Sequence, residues 1–375
     1  MKKSLKGKKK VNSKPLCVLG TFDVGGAEMF VLNLLRAGEK LDAACVIPDR
    51  GAFEDEMNGL GCMTYHMTRR SVSLIRHHLD LWHIIHDNRY KTVYFHTQNA
   101  FFTSLHIITA RLAGADKIIV HSHNTKDWRK GKAAILHDHF RKWLYRHSDI
   151  RIACGKDAAG WLFGTDKDVY ILPLPVDCDA FHYSDIRRAS VRKEMGIPMG
   201  TEVYLHVGRF DIVKNHNGLL EIFQKICEMN SETGRRSLLI LAGGGVLFNE
   251  MKKKAAKLGI NDNVLFLGIT DRVSDLAVAA DKFILPSFYE GFPTVLLEAQ
   301  AAGLPCFVSD TIDRDIDVTG GNVHFISLDK APGEWAEEIL SVPSNTNLQK
   351  SKISGEIREK YDIFAVKEML HEILS

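Results

Sequence analysis

Short apolar runs alternate with amphipathic stretches along most of the chain. In the N-terminal half the runs are PLCVLGTF, CVIPD, TVYFHT, KIIVHSH, IRIACG and DVYILPLPV, each followed by polar or helical sequence. GGAEMFVLNLLRAG, residues 25–38, opens on a glycine turn and continues with apolar positions at helical spacing. A polar stretch at about 182–200 interrupts the series. EVYLHVG, SLLILAGGG, NVLFLG, KFILPS and PCFVSD then repeat it, and HFISL near residue 324 supplies a last strand. The closing KYDIFAVKEMLHEILS reads as an amphipathic helix. Runs this short and this apolar belong to parallel sheets covered by helices on both faces. The pattern therefore predicts two doubly wound α/β domains with a crevice between them. Ligands in such sheets bind outside the carboxyl ends of the strands.

Composition narrows the setting. At 375 residues, 45% hydrophobic and 25% charged, the chain is an ordinary globular protein with room for two domains. No apolar run approaches the ~18–20 residues of a membrane span, and the N-terminus lacks the apolar core of a signal peptide. The expected location is the cytoplasm. Seven scattered cysteines without a Cys-x-x-Cys pair fit a reducing compartment and disfavour a disulfide framework or zinc site. The net charge of +3 conceals a division: residues 1–14 hold seven lysines and no acid, and the rest has 42 basic against 46 acidic residues. A flexible basic tail on a mildly acidic body is expected. The tail is either a solvated terminus or an attachment to an anionic membrane surface. Nucleic acid is not an expected partner, because nothing in the body repeats the basic bias.

Two stretches carry the candidate chemistry. In PSFYEGFPTVLLEAQAAGLP a strand runs into a loop with Glu290 and Gly291, and Pro293 opens a helix that carries Glu298. A helix beginning there aims free N–H groups and a positive dipole end at the loop, which suits phosphate. One carboxylate precedes that anion site and one lies about a turn inside the helix, a placement suited to the hydroxyls of a sugar nucleotide. In HVGRFDIVKNHNGLLEIF, a strand ends at Val207, Gly208 allows a tight turn, and Arg209 and Lys214 follow in one loop. If the two strands are neighbours, both cations emerge beside the Glu290 loop. Cations at a helix N-terminus neutralise a departing diphosphate.

Together these segments resemble the C-terminal half of the retaining glycosyltransferases of family 4, which have the GT-B architecture. GGGVLFNEMKKKAAKLGINDNVLFLG resembles the family's strand–helix–strand at the nucleobase pocket, GGAE its first-domain glycine loop, and KYDIFAVKEMLHEIL the helix that crosses back onto the first domain. Within the family the chain looks most like enzymes of exopolysaccharide and capsule assembly. The resemblance implies a first, acceptor-side domain over 15–182 with a returning helix at 358–375. It implies a nucleotide-sugar domain over 183–357.

It also implies roles. Glu298 would hold the ribose hydroxyls and Glu290 the donor sugar. The N–H groups of Phe292 and Thr294, after Gly291, would cradle diphosphate or sugar oxygens. Arg209 and Lys214 would bind diphosphate, and Gly25 and Gly26 would admit donor and acceptor closely. Glu28 lies in the first turn after that glycine loop, where a carboxylate also favours the helix dipole. A histidine of the HSHNT run would contact the sugar. His123 is preferred over His121, although strand alternation puts both on one face, and His96 is a lesser candidate. The implied reaction is hexosyl transfer from a nucleotide-diphosphate sugar, with UDP the expected nucleotide. The expected acceptor is a glycan or polyprenyl-diphosphate-linked oligosaccharide at the inner membrane surface. No metal or other cofactor is implied.

Two positions depart from the family pattern. Gly155 stands where a serine is usual, and LPLPVDCDAF replaces an Asn-Gly-Ile-Asp run, with only Asp177 and Phe181 echoing it. Other chemistry competes poorly. The AGGGV turn has Phe248 where a dinucleotide fingerprint needs its third glycine, and DRDID at 313–317 and HHLDLWHIIHD read as a polar loop and a helix rather than metal sites. The alternatives are an epimerase or phosphorylase of the same architecture, or a non-catalytic glycan-binding partner of an active transferase.

Overall fold

The computed structural model describes residues 11–23, 25–97, 99–123, 132–290 and 292–375. The chain divides into two compact units. One runs to Pro175 and takes up Val366–Ser375 again; the other is Val176–Ala365.

In the first unit strands and helices alternate in chain order. They are β1 (Leu16–Leu19), α1 (Gly26–Arg36), β2 (Asp42–Cys45), α2 (Glu54–Gly59), β3 (Thr64–His66), α3 (Leu74–Asn88), β4 (Thr92–Thr97), α4 (Ala100–Leu112), β5 (Lys117–Ser122), α5 (Lys132–His147), β6 (Ile150–Ala153), α6 (Lys156–Phe163) and β7 (Tyr170–Ile171). The sheet order is β3-β2-β1-β4-β5-β6-β7, all parallel. Its core is built from fully buried Leu16, Leu81, Ile85, Val93, Ile118 and Val120.

The second unit continues with α7 (Asp185–Glu194), β8 (Thr201–Val207), α8 (His216–Glu232), β9 (Arg236–Ala242), α9 (Phe248–Lys257), β10 (Val264–Gly268), α10 (Val273–Ala279), β11 (Lys282–Leu285), α11 (Thr294–Ala301), β12 (Cys306–Ser309), β13 (Val323–Ile326), α12 (Pro332–Ser341) and α13 (Asn347–Tyr361). The last helix, α14 (Ile363–Leu374), carries the chain into the first unit. The second sheet has the order β10-β9-β8-β11-β12-β13, again parallel. The strand order of each sheet thus reverses beside its first strand, at β1/β4 and at β8/β11, and such reversal points are where ligands bind in open α/β sheets.

Several local expectations are corrected. The second strand is DAAC, not CVIPD; only Cys45 is shared, and Pro48 follows the strand. β3 has no apolar run to announce it, being a three-residue edge strand with half-exposed side chains. DVYILPLPV supplies only the two paired residues of β7. The closing amphipathic segment is split, with Lys360 and Tyr361 ending α13 and α14 starting at Ile363. Between these helices the backbone is held in the second unit, where Val176 N–H donates to Tyr361 O (2.7 Å) and Ile363 N–H to Val176 O (3.1 Å). Within the first unit Lys367 Nζ donates to Ala37 O, and His371 Nε2 lies 2.7 Å from Glu39 Oε2.

Most of the basic tail, residues 1–10, lies outside the described residues. Lys14 belongs to the body, where its Nζ reaches Asp42 Oδ1 (2.9 Å) and Gly61 O (3.0 Å). All seven cysteines are free thiols. Among the described residues no helix is long and apolar enough to cross a membrane.

Candidate functional site

β8 and β11 are hydrogen-bonded neighbours, with Tyr204 opposite Lys282 and Leu205 opposite Phe283. Their carboxyl ends therefore release two loops side by side, 208–215 and 286–293, at the reversal point of the second sheet. Two bonds to backbone carbonyls tie the loops together: Asn215 Nδ2 donates to Pro286 O (3.0 Å), and Phe288 N–H donates to Val213 O (2.8 Å). Asn215 also caps α8, accepting from Gly218 N–H at 3.1 Å, and adopts the left-handed backbone region at φ 51°. Asparagine is among the few residues that tolerate that region. Each loop enters a helix, so the positive ends of α8 and α11 both lie at this reversal point.

Lys214 and Glu290 meet there. Lys214 Nζ donates to Glu290 Oε1 at 2.6 Å, and the two side chains are only 15% and 10% exposed. The stem of Lys214 crosses Gly208, where a Cβ would come within 3.3 Å of its Cδ and Cε. Arg209 differs from Lys214. Its side chain is 74% exposed and pairs with Asp211 at 3.1 Å. A surface pair of this kind is weak, which leaves the guanidinium available to an anion. Pro293 is the residue before α11, at φ −73° and ψ 105°, and the helix proper starts at Thr294. Glu298 is half-buried in the second turn, on the face that carries Thr294. Phe292 is half-buried; Gly291 lies outside the described residues.

The AGGGV turn supports the cationic loop from below. Phe210 N–H donates to Gly244 O (2.8 Å), Gly208 N–H to Ala242 O (2.9 Å) and Leu247 N–H to Phe210 O (3.0 Å). Gly243, at φ 141°, sits against Gly208 so closely that a Cβ would overlap the Gly208 carbonyl. Under the loop, His206 Nδ1 bonds Ile284 O (2.8 Å) and His216 stacks on Phe210. Burial lowers both imidazoles, His216 to about 4.

In the first unit α1 starts at Gly26, after extended Gly25 (φ −162°). The space a Cβ would take at Gly25 is filled by the Glu28 carboxylate, whereas Gly26 has nothing within 4 Å. The room at Gly25 thus serves the protein's own side chain. Glu28 Oε1 accepts from Thr21 N–H (3.2 Å) and from the Thr21 hydroxyl (3.3 Å), and burial raises its pKa.

His96, on β4, stands in register with His121, on β5. The two histidines of the HSHNT run have different partners. His121 Nδ1 pairs with the buried Tyr94 hydroxyl (2.9 Å), and His123, just past β5, pairs through Nε2 with His96 Nδ1 (2.9 Å). His96 Nε2, His121 Nε2 and His123 Nδ1 have no partner. Burial pushes all three imidazoles far down, His123 to about 3, so they are neutral at physiological pH. Their nitrogens lie within 4.8 Å of one another, making this the group of described residues that could hold a cation. The His96–His123 bond uses one nitrogen of each ring. Sequence reading ranked His96 below the others; its pairing with His123 depends on the β4–β5 register. Asn215 and Asp211 escaped it altogether, and the sole signal was an Asn directly before a helix start.

Two family profiles divide the chain between them: "Glycosyltransferase Family 4" matches residues 24–180 and "Glycosyl transferases group 1" matches 187–355. The chain is 34% identical over 340 residues to the putative glycosyltransferase EpsF of Bacillus subtilis, covering 86% of each protein. It is 27% identical over 259 residues, 64% of each, to the UDP-Gal:alpha-D-GlcNAc-diphosphoundecaprenol alpha-1,3-galactosyltransferase of Escherichia coli. In fold it is similar to Anabaena HepE in complex with UDP and glucose, with a TM-score of 0.80 at 17% identity over 96% of this chain and 99% of that one. The chain belongs to glycosyltransferase family 4: it is a GT-B glycosyltransferase that resembles the enzymes of exopolysaccharide biosynthesis.

Proposed function

We propose that the enzyme transfers a hexose from a UDP-sugar to a lipid-linked glycan, with retention of anomeric configuration and without a metal. The observation that carries the donor side is the meeting of Lys214, Arg209 and the α8 and α11 N-termini at the β8/β11 reversal point. Fixed positive charge at the place where a diphosphate leaves is worth most when it needs no rearrangement during the reaction. Lys214 and Arg209 would bind the diphosphate, Glu298 the ribose hydroxyls, and Glu290 the sugar hydroxyls while holding Lys214 in place. The N–H groups of Phe292 and Thr294 would complete the anion cradle after Gly291. In transfer, the bond from sugar C1 to the diphosphate oxygen breaks, the acceptor oxygen bonds to C1, and the acceptor proton is released. His123 is the first unit's candidate for a sugar hydroxyl, with His121 the runner-up, because it lies just past the carboxyl end of β5; each of the three neutral rings keeps one nitrogen unpartnered.

The UDP and lipid-linked features draw support from what the relatives' names state: UDP and glucose with HepE, and UDP-galactose with a diphosphoundecaprenol acceptor for the Escherichia coli enzyme. Calorimetry against UDP, GDP and ADP tests the donor side, with UDP expected to bind most tightly. Proton NMR of the anomeric centre during transfer tests retention. Glu298→Ala with unchanged UDP affinity would overturn the site, and conversion of donor without acceptor would point to an epimerase instead.

A further inference from the structure

Two buried histidines that bond to each other constrain each other's protons. His96 Nδ1 and His123 Nε2 lie 2.9 Å apart in a buried hydrogen bond. A neutral imidazole carries one N–H and one lone pair. One ring must therefore donate and the other accept, so both rings adopt the same tautomer, either Nδ1–H or Nε2–H. The nitrogens left over are His96 Nε2 and His123 Nδ1, both buried and without a partner. In either tautomer one of these is an N–H and the other a lone pair. While the bond lasts, the pair cannot turn two lone pairs to one cation, so the proximity of the three rings does not make a three-nitrogen metal site.

The surroundings keep the pair neutral and in place. His96 is 7% and His123 8% exposed, and burial holds both imidazoles far below their ordinary range. The Tyr94 ring lies against His96 with centroids 4.3 Å apart, and fully buried Phe30 packs against both histidines. His121 escapes this constraint. Its partner is the Tyr94 hydroxyl, which can donate or accept. For His96 and His123 the Nε2–H form, the one imidazole favours intrinsically, satisfies both rings at once. His123 Nε2–H then donates to His96 Nδ1, and the lone pair of His123 Nδ1 remains free just past the carboxyl end of β5.

We propose that His96 is a positioning residue for donor recognition. By accepting from His123 it fixes that ring and tautomer, and leaves Nδ1 to accept a hydrogen bond from a hydroxyl of the donor sugar. His96 itself touches no substrate. This role rests on the reading of His123 as a sugar contact, and the two are tested separately.

The test is nitrogen NMR of the full chain with ring-labelled histidine, joined to calorimetry with UDP, UDP-glucose and UDP-galactose. In the wild type, His123 Nδ1 is expected at the shift of an unprotonated nitrogen. His96→Phe keeps an aromatic ring but offers no acceptor, and should turn His123 into a mixture of tautomers. His96→Asn, whose Oδ1 stands where Nδ1 stood, should restore the wild-type shift. His96→Phe should also lose about three- to tenfold in affinity for the tighter of the two sugar nucleotides. Its affinity for UDP should not change, because UDP brings no transferable sugar to His123. Adding His96→Phe to His123→Phe should cost nothing more, since the first acts through the second. A protonated Nδ1 in the wild type, or one unchanged tautomer in wild type and His96→Phe, would overturn the role of His96. An equal loss for UDP and sugar nucleotide would also overturn it, by showing a merely structural effect. If His123→Phe binds the sugar nucleotides as the wild type does while its wild-type tautomer still depends on His96, the sugar contact fails, and the recognition role fails with it.

Discussion

Replacing Lys214 by alanine separates a structural role from a donor-binding role. Its ammonium meets Glu290 at 2.6 Å, with both side chains nearly buried. Losing one member of a fully buried pair costs about 3–5 kcal/mol, because the other charge stays desolvated without compensation. The residual 15% and 10% exposure admits water, so about 2–3 kcal/mol is expected here. For a unit of this size that lowers Tm by roughly 4–10 °C. The Lys214→Ala/Glu290→Ala pair should fall short of additivity by about 1–2 kcal/mol, because the second substitution removes the stranded carboxylate. On ligand binding, a lost hydrogen bond to a charged group is worth about 1.5–3 kcal/mol, a roughly 10- to 150-fold rise in the Kd for UDP. Glu290→Gln is the informative counterpart. It frees Lys214 for phosphate, so UDP affinity should hold or improve while turnover of the UDP-sugar falls. Calorimetry with UDP and scanning calorimetry on the wild type, the two single alanine variants, the double variant and Glu290→Gln measure all of this. If Lys214→Ala lowers Tm but leaves the UDP Kd within about twofold, Lys214 is a structural residue and the diphosphate assignment fails.

Three further outcomes are expected. Glu298→Ala should raise the UDP Kd at least about tenfold with little loss of Tm, since the side chain is only half-buried; an unchanged Kd by calorimetry would remove Glu298 from the site. Gly243→Ala should cost on the order of 2–4 kcal/mol in urea unfolding and weaken UDP binding, because its Cβ would displace the Gly208 carbonyl beneath the cationic loop. Buried His123 is neutral in the fold and protonates near pH 6.5 when unfolded, so its contribution is complete above pH 6.5 and is lost as pH falls toward about 3. His123→Gln should therefore flatten the fall of stability between pH 6.5 and 5 by up to about 1.4 kcal/mol per pH unit, and an unaltered slope in pH-dependent urea unfolding would refute the assignment.

Much of this protein follows from its sequence, because the features concerned are local. The repeating strand–helix pattern, apolar strands at β1, β4, β5, β8 and β9, a Gly-rich turn after β9 and a Pro-initiated α11 each arise from residues close together in the chain. So does the set of charged residues at 209, 214, 290 and 298, together with their resemblance to a family. What depended on long-range pairing was hidden. β3 lacks an apolar signal, since an edge strand owes its conformation to its neighbour. The pairing of β8 with β11 brings Lys214 to Glu290, and 76 positions of chain separate those residues. The β4–β5 register joins His96 to His123 and leaves His121 to Tyr94. Glu28 shows the same limit at short range, because only the folded turn reveals that its carboxylate fills the space beside Gly25. Sequence thus determined which groups are available and which segments form strands or helices. Tertiary structure decided which groups meet, because sheet order and register, rather than spacing along the chain, fix distances between residues remote in sequence.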